Sequence, residues 1–293
     1  MTAPAPILAA TDFSVAAGHA IERAARLARE LGRPLHLLHV YNDFAWANLR
    51  ALVRLPPGAD AEARARARLA DLAGILAARH GLAAVEQAVV TGRAAAGIAA
   101  RAREIGAGLV VLGAHGEGIV QELALGGTAI RVLRASPCPV LVTRQPSERP
   151  YARVLVASDF SATATRALRL ALALFPGAAL NTMHAYSADQ EGRMRLAGAG
   201  QADIERYRAQ AREVAERAMA AFVADADVLA AGSVAAKVGF GYAATVILEE
   251  VQRHDIDLLI VGKHGASALD EWVMGSVTLN LMHHATCDVL MVP

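Results

Sequence analysis

Ile7-Leu8-Ala9-Ala10-Thr11-Asp12-Phe13-Ser14 recurs 147 residues later as Val154-Leu155-Val156-Ala157-Ser158-Asp159-Phe160-Ser161. LVVLGAHG at Leu109–Gly116 is likewise matched by LLIVGKHG at Leu258–Gly265, and CPVLV from Cys138 by CDVLM from Cys287, both at an offset of 149. His39-Val40-Tyr41 is matched by His184-Ala185-Tyr186 at 145. Matches in one order at nearly one offset indicate duplication of a whole domain, in a unit far longer than a solenoid repeat. The polar stretch RQPSERP, Arg144–Pro150, marks the join. Two domains are therefore expected, at residues 1–145 and 151–293.

Each copy alternates strand and helix. In the first, the short apolar run 7–11 suits a strand buried on both faces. Ser14 offers an N-cap for a helix to about Leu31, which Gly32 and Pro34 end. Strands are expected at 35–41, 85–90, 109–112 and 140–143, and helices at 61–79, 94–105 and through about Leu133. In the second copy strands are expected near 153–158, 179–185, 227–231, 257–261 and 288–292, with a long helix over 201–223. Such alternation predicts an α/β fold: two tandem doubly wound domains, each a five-stranded parallel sheet flanked by helices with right-handed crossovers. Ligands of such sheets sit beyond the carboxyl ends of the strands, where strand order reverses. Asp12 and Gly113 follow strands one and four of the first copy, and Asp159 and Gly262 those of the second. If strands one and four are neighbours, each pair shares a crevice.

Composition narrows the function classes. The 293 residues are 55% hydrophobic and 19% charged, which excludes a disordered chain. No apolar run approaches the roughly 20 residues of a membrane span, and the N-terminus does not read as a signal peptide, so a cytoplasmic protein is expected. A net charge of +1 argues against nucleic acid as a partner. The halves differ, at +5 for residues 1–145 and −4 for 146–293. Cys138 and Cys287 are too few for a disulfide framework or a zinc ribbon.

The informative motif is Gly262-Lys263-His264-Gly265, nine residues, then Gly275-Ser276. Glycine permits positive φ and close approach of a ligand to the main chain. Gly275-Ser276 should open the last helix, whose unpaired N–H groups and partial positive charge suit phosphate. Gly262 and Gly265 would form the other wall of a cradle of N–H groups. The pattern is neither G-x-x-x-x-G-K-[ST] nor G-x-G-x-x-G.

This arrangement resembles the universal stress proteins, over nearly the whole chain as two copies. ATP-binding members of that family carry G-x-x-G, nine residues, then G-S or G-T, with an Asp after strand one. By that resemblance the second copy is complete at Asp159, Gly262, Gly265, Gly275 and Ser276. Asp159 would sit beside the adenosine, Ala157, Ala185 and Val261 would line the adenine pocket, and Val277 would add a backbone contact near the phosphates. His264, like His115, belongs to the nucleotide loop. The first copy keeps Asp12, Gly113, Gly116 and Gly126, but Gly127 stands where Ser or Thr belongs, with Thr128 one place late. Glu117 also follows Gly116, so a carboxylate is expected near the phosphates. Losing a donor and gaining a like charge should together weaken polyphosphate binding by about 1–3 kcal/mol. The resemblance thus implies a stress-response regulatory protein that binds ATP, with magnesium, mainly through its second domain. It also implies a pseudo-dimer within the chain and a homodimer between chains.

The remaining candidates are weaker. Asp12 and Asp159 would equally serve as caps of the helices they precede. His36 and His39, three apart on a strand, point to opposite faces. His283, His284 and Cys287 resemble a ligand cluster without a fourth member, and zinc usually takes four. No metal site is expected. No G-x-S-x-G elbow occurs. No residue is placed as a general base, so slow ATP hydrolysis is the most that is expected, and no catalytic residue is assigned. The competing readings are a nucleotide-free interaction scaffold and, less favoured, a metal-binding stress protein.

Overall fold

The computed structural model describes residues 4–41, 61–116, 125–146, 149–188, 190–226, 234–265 and 274–293. It divides into two compact units, 1–150 and 151–292.

Unit one runs β1 (Ile7–Thr11), α1 (Val15–Leu31), β2 (Leu35–Tyr41), α2 (Ala61–His80), β3 (Val85–Thr91), α3 (Ala94–Glu104), β4 (Leu109–Gly113), α4 (Gly127–Ala135) and β5 (Val140–Thr143). Its strands are all parallel, in the order β3-β2-β1-β4-β5. Strands one and four are neighbours, as the shared crevice requires, and strand order reverses between them. β1 and β5 are buried along their whole length, which is why they read as unbroken apolar runs. The edge strand β3 is exposed or half-buried except at Val89. α1 starts at Ser14, whose hydroxyl accepts from the Ala17 amide, and ends at Gly32 in the left-handed conformation, φ 60°. Its buried stripe is mostly alanine (Ala17, Ala20, Ala24, Ala25 and Ala28, with Ile21 and Leu27), so the helix packs closely on the sheet.

Unit two runs β6 (Arg153–Ala157), α5 (Ala162–Leu174), β7 (Ala179–Tyr186), α6 (Glu191–Leu196), α7 (Gln201–Ala226), β8 (Val234–Phe240), α8 (Ala243–Arg253), β9 (Leu258–Gly262), α9 (Ser276–His284) and β10 (Asp288–Val292). Its order, β8-β7-β6-β9-β10, repeats that of unit one and is again all parallel. Ser161 caps α5 as Ser14 caps α1.

One expected strand is corrected. The third strand of unit two is Val234–Phe240, not 227–231, and residues 227–233 lie outside the described ones. Val228-Leu229 attracts a strand assignment by being apolar. The real strand is an edge, and its sequence VAAKVGF carries a lysine and a glycine. The 149-residue offset from β3 places it correctly. The short helix α6 also had no forewarning in the sequence.

Candidate functional site

At the β1/β4 reversal of unit one, the five residues nominated there, Asp12, Gly113, Gly116, Gly126 and Thr128, all line one cavity of about 290 Å³. Its apolar wall comes from Ala10, Leu38, Val40, Ile98, Leu112 and Ala129. Asp12 is the only carboxylate among the described lining residues, and no lysine or arginine is among them. Gly126 is the N-cap of α4 and offers no side-chain cap, so the first N–H groups of that helix lie at the cavity edge. The loop ends are tied by the Gly126 amide, which donates to the Ala114 carbonyl at 2.7 Å. His115 also lines the cavity, and its Nδ1 is buried without a hydrogen-bond partner among the described residues. Glu117 lies outside the described residues.

Positive φ, one of the two reasons expected for the loop glycines, does not hold. None of Gly113, Gly116, Gly262 and Gly265 has positive φ. A Cβ at Gly113 would lie 2.9 Å from the Ala16 carbonyl carbon and oxygen, and one at Gly262 would lie 2.9 Å from Thr163 Cγ2. These two glycines let β4 and β9 press against the first turns of α1 and α5. A Cβ at Gly116 would collide with Asp12 Oδ2, and one at Gly265 would lie 3.0 Å from Asp159 Oδ2. In both units the loop therefore lies directly on the Asp carboxylate.

Each carboxylate also serves its helix start. Asp12 Oδ1 accepts from the Ser14 amide and Asp159 Oδ1 from the Ser161 amide, both at 3.0 Å. One oxygen of each carboxylate thus supports the helix start while the other lies against the glycine loop. In unit two, Gly275 caps α9, with Ser276 as the first residue of that helix. The Gly275 amide donates to the Lys263 carbonyl at 3.1 Å, and Thr278 Oγ1 donates to the Gly262 carbonyl at 2.7 Å. The nominated pocket residues are each the last or next-to-last residue of a strand. Ala157 closes β6, Ala185 lies in β7, and Val261, only 2% exposed, precedes Gly262 in β9. His264 is half-buried, and Val277 lies in the first turn of α9. Lys263 is buried at the position of Ala114.

The sequence reading missed the residue after each Asp. Phe13 and Phe160 are left-handed, with φ 66° and 64°, a conformation that bulky residues rarely adopt. The Phe13 amide donates to Thr11 Oγ1 (2.9 Å) and the Phe160 amide to Ser158 Oγ (3.1 Å). Phe13 stacks on His39 at 4.6 Å between centroids and Phe160 on His184 at 4.1 Å. His39 Nδ1 donates to the Thr11 carbonyl (2.9 Å) and His184 Nδ1 to the Ser158 carbonyl (2.8 Å). The available signal was the identical Asp-Phe-Ser triplet together with the matched His of strand two.

Among the described residues no helix is long and apolar enough to cross a membrane, and no cluster of three or more His, Cys, Asp or Glu is poised for a metal.

The chain matches the universal stress protein family model twice, over residues 5–144 and 150–293. It is 31% identical over 145 residues to universal stress protein YxiE of Bacillus subtilis, which spans 47% of this chain and 97% of that protein. The crystal structure of a universal stress protein from Archaeoglobus fulgidus aligns with a TM-score of 0.68 at 20% identity, over 98% of this chain and 97% of that one. A universal stress protein crystallised in complex with cAMP aligns at 22% identity over 50% of this chain and all of that one, with a TM-score of 0.37.

Proposed function

Because the chain belongs to the universal stress protein family and carries its domain twice, we propose that it binds adenine nucleotide at its glycine loops and acts as a regulatory protein of the stress response. The observation that carries this reading is the convergence in unit one. Every residue nominated there lines a single cavity, with an apolar wall for a base and helix N–H groups at its edge.

In this reading ATP binds more tightly in unit two. That unit opens α9 with the hydroxyl of Ser276 and holds Lys263 where unit one has an alanine. Unit one, with no cationic side chain among the described lining residues, is the weaker polyphosphate site. Magnesium would travel on the phosphate oxygens and keep much of its water, so it needs no protein cage. The residues assigned here bind and orient a nucleotide, whose presence would then change how the protein associates.

A thermal melt with and without millimolar Mg-ATP, with GTP and cAMP as comparison probes, tests the reading. Ligand at about 100 times its dissociation constant stabilises by about 2.7 kcal/mol, a shift of several degrees. Gly275→Val should abolish the unit-two contribution. A Cβ at Gly275 fits at 3.8 Å from the Gly265 nitrogen, but the two further methyl groups of valine would fill the cradle. No shift with any probe, and no nucleotide released from the purified protein by acid, would overturn the reading in favour of a ligand-free scaffold.

A further inference from the structure

We propose that Phe13 and Phe160 are positioning residues, strained aromatic latches that hold Asp12 and Asp159 against the glycine loops. The proposal rests on the nucleotide reading and adds to it the device that sets the geometry of each site.

Among the described residues only three besides glycine have positive φ. One is Asp255, at a helix end and of a type that tolerates the left-handed region. The other two are these phenylalanines, 147 positions apart, at the same point of each repeat. A glycine would adopt that conformation without strain. An aromatic ring there persists because the surroundings hold it, and strain held in this way is a mark of functional sites.

The hold is the same in both units. A hydroxyl two residues back takes the Phe amide, and the Asp carboxylate takes the next amide, that of Ser14 or Ser161. The histidine of strand two stacks on the ring. Because a carbonyl oxygen only accepts, the imidazole donates from Nδ1, which fixes its orientation under the ring. The outer cover differs. Arg68 lies over the Phe13 ring with its guanidinium carbon 4.5 Å from the centroid, whereas Phe222 meets Phe160 edge-on at 5.8 Å. The left-handed turn, the hydroxyl and the histidine persist where the covering residue has changed, so these are the working parts. Their effect falls on the intervening Asp, whose second oxygen faces Gly116 or Gly265.

Phe13→Gly and Phe160→Gly remove the ring while leaving the backbone free to keep its turn. Amide hydrogen exchange read by NMR without ligand, and Mg-ATP titration, are measured on both variants, on His39→Ala and His184→Ala, and on Phe13→Tyr. In Phe13→Gly and His39→Ala, exchange at the Ser14 amide accelerates while Ser161 is unchanged, and affinity falls on the order of tenfold at unit one alone, as when one hydrogen bond to a charged group is lost. The Phe160 and His184 variants mirror this in unit two, and Phe13→Tyr restores both readouts. Unchanged exchange at Ser14 overturns the latch. So does exchange that rises uniformly through β1, α1 and β2, which would make the ring mere packing. If the unsubstituted protein binds no nucleotide, the functional reading fails, and the exchange at Ser14 and Ser161 still decides the latch.

Discussion

Gly116 and Gly265 are held to glycine by a neighbour's carboxylate, not by their own backbone angles. Because the Asp oxygen overlaps the space of a Cβ at Gly116 and only crowds it at Gly265, the two positions should respond unequally. Gly116→Ala should push the exposed Asp12 carboxylate off the Ser14 amide and destabilise by about 0.5–1.5 kcal/mol, the worth of that hydrogen bond, with a smaller loss for Gly265→Ala. Urea unfolding of the two variants checks the order. His36 makes stability depend on pH. It is 8% exposed, and its Nδ1 lies 3.2 Å from Glu86 Oε2 at an angle that makes no hydrogen bond. Burial is the main effect and holds its pKa below the ordinary 6.5; Glu86 opposes this and Arg101 adds to it. Between the lowered folded value and 6.5 the unfolded chain binds more protons, so stability rises with pH through that window. It is lost as pH falls below 6.5. His36→Gln should flatten that slope in urea melts taken from about pH 5 to pH 8. An unaltered slope would place its source elsewhere.

Elements legible in the sequence were those whose ends carry their own chemistry. Ser14 and Gly32 bracket α1, and the apolar runs of β1, β2, β5 and β10 have the bounds that the sequence implied. β8 was misplaced because an edge strand has one half-solvated side, so burial leaves a weak mark on its composition. The candidate site was legible only as a list of residues, Asp12, Gly113, Gly116, Gly126 and Thr128, selected by loop spacing together with the family resemblance, and these line one cavity. Its mechanics were not. The left-handed Phe13 leaves no compositional trace, because the residue that normally signals positive φ is glycine. Gly74 shows the converse. It lies mid-helix in α2, exposed, and a Cβ there would meet nothing within 4 Å. Gly74→Ala should therefore stabilise by about 0.5–1 kcal/mol. Thermal unfolding reads this directly, and a lower midpoint would mean that the position has a use hidden from its contacts.

At the scale of the whole chain, one scaffold is present twice and its loops have diverged. The sheets share strand order, the β1–α1 and β6–α5 turns share their hydrogen bonds, and the histidine stack recurs. What differs lies at the ends of the loop: Ala114 against Lys263, Gly127 against Ser276, and Thr128 against Val277. Conserved scaffold with altered loop chemistry should give two classes of site with one architecture. Titration with Mg-ATP is then expected to show a tighter and a weaker phase. Ser276→Ala removes a hydroxyl only from the second unit, so it should weaken the tighter phase by about tenfold, the worth of one hydrogen bond to a charged group. It should leave the weaker phase in place. Thr128→Ala should do the reverse, weakening only the second phase. If Ser276→Ala instead weakens both phases together, the units do not bind independently, and the division of labour read from their loops is wrong.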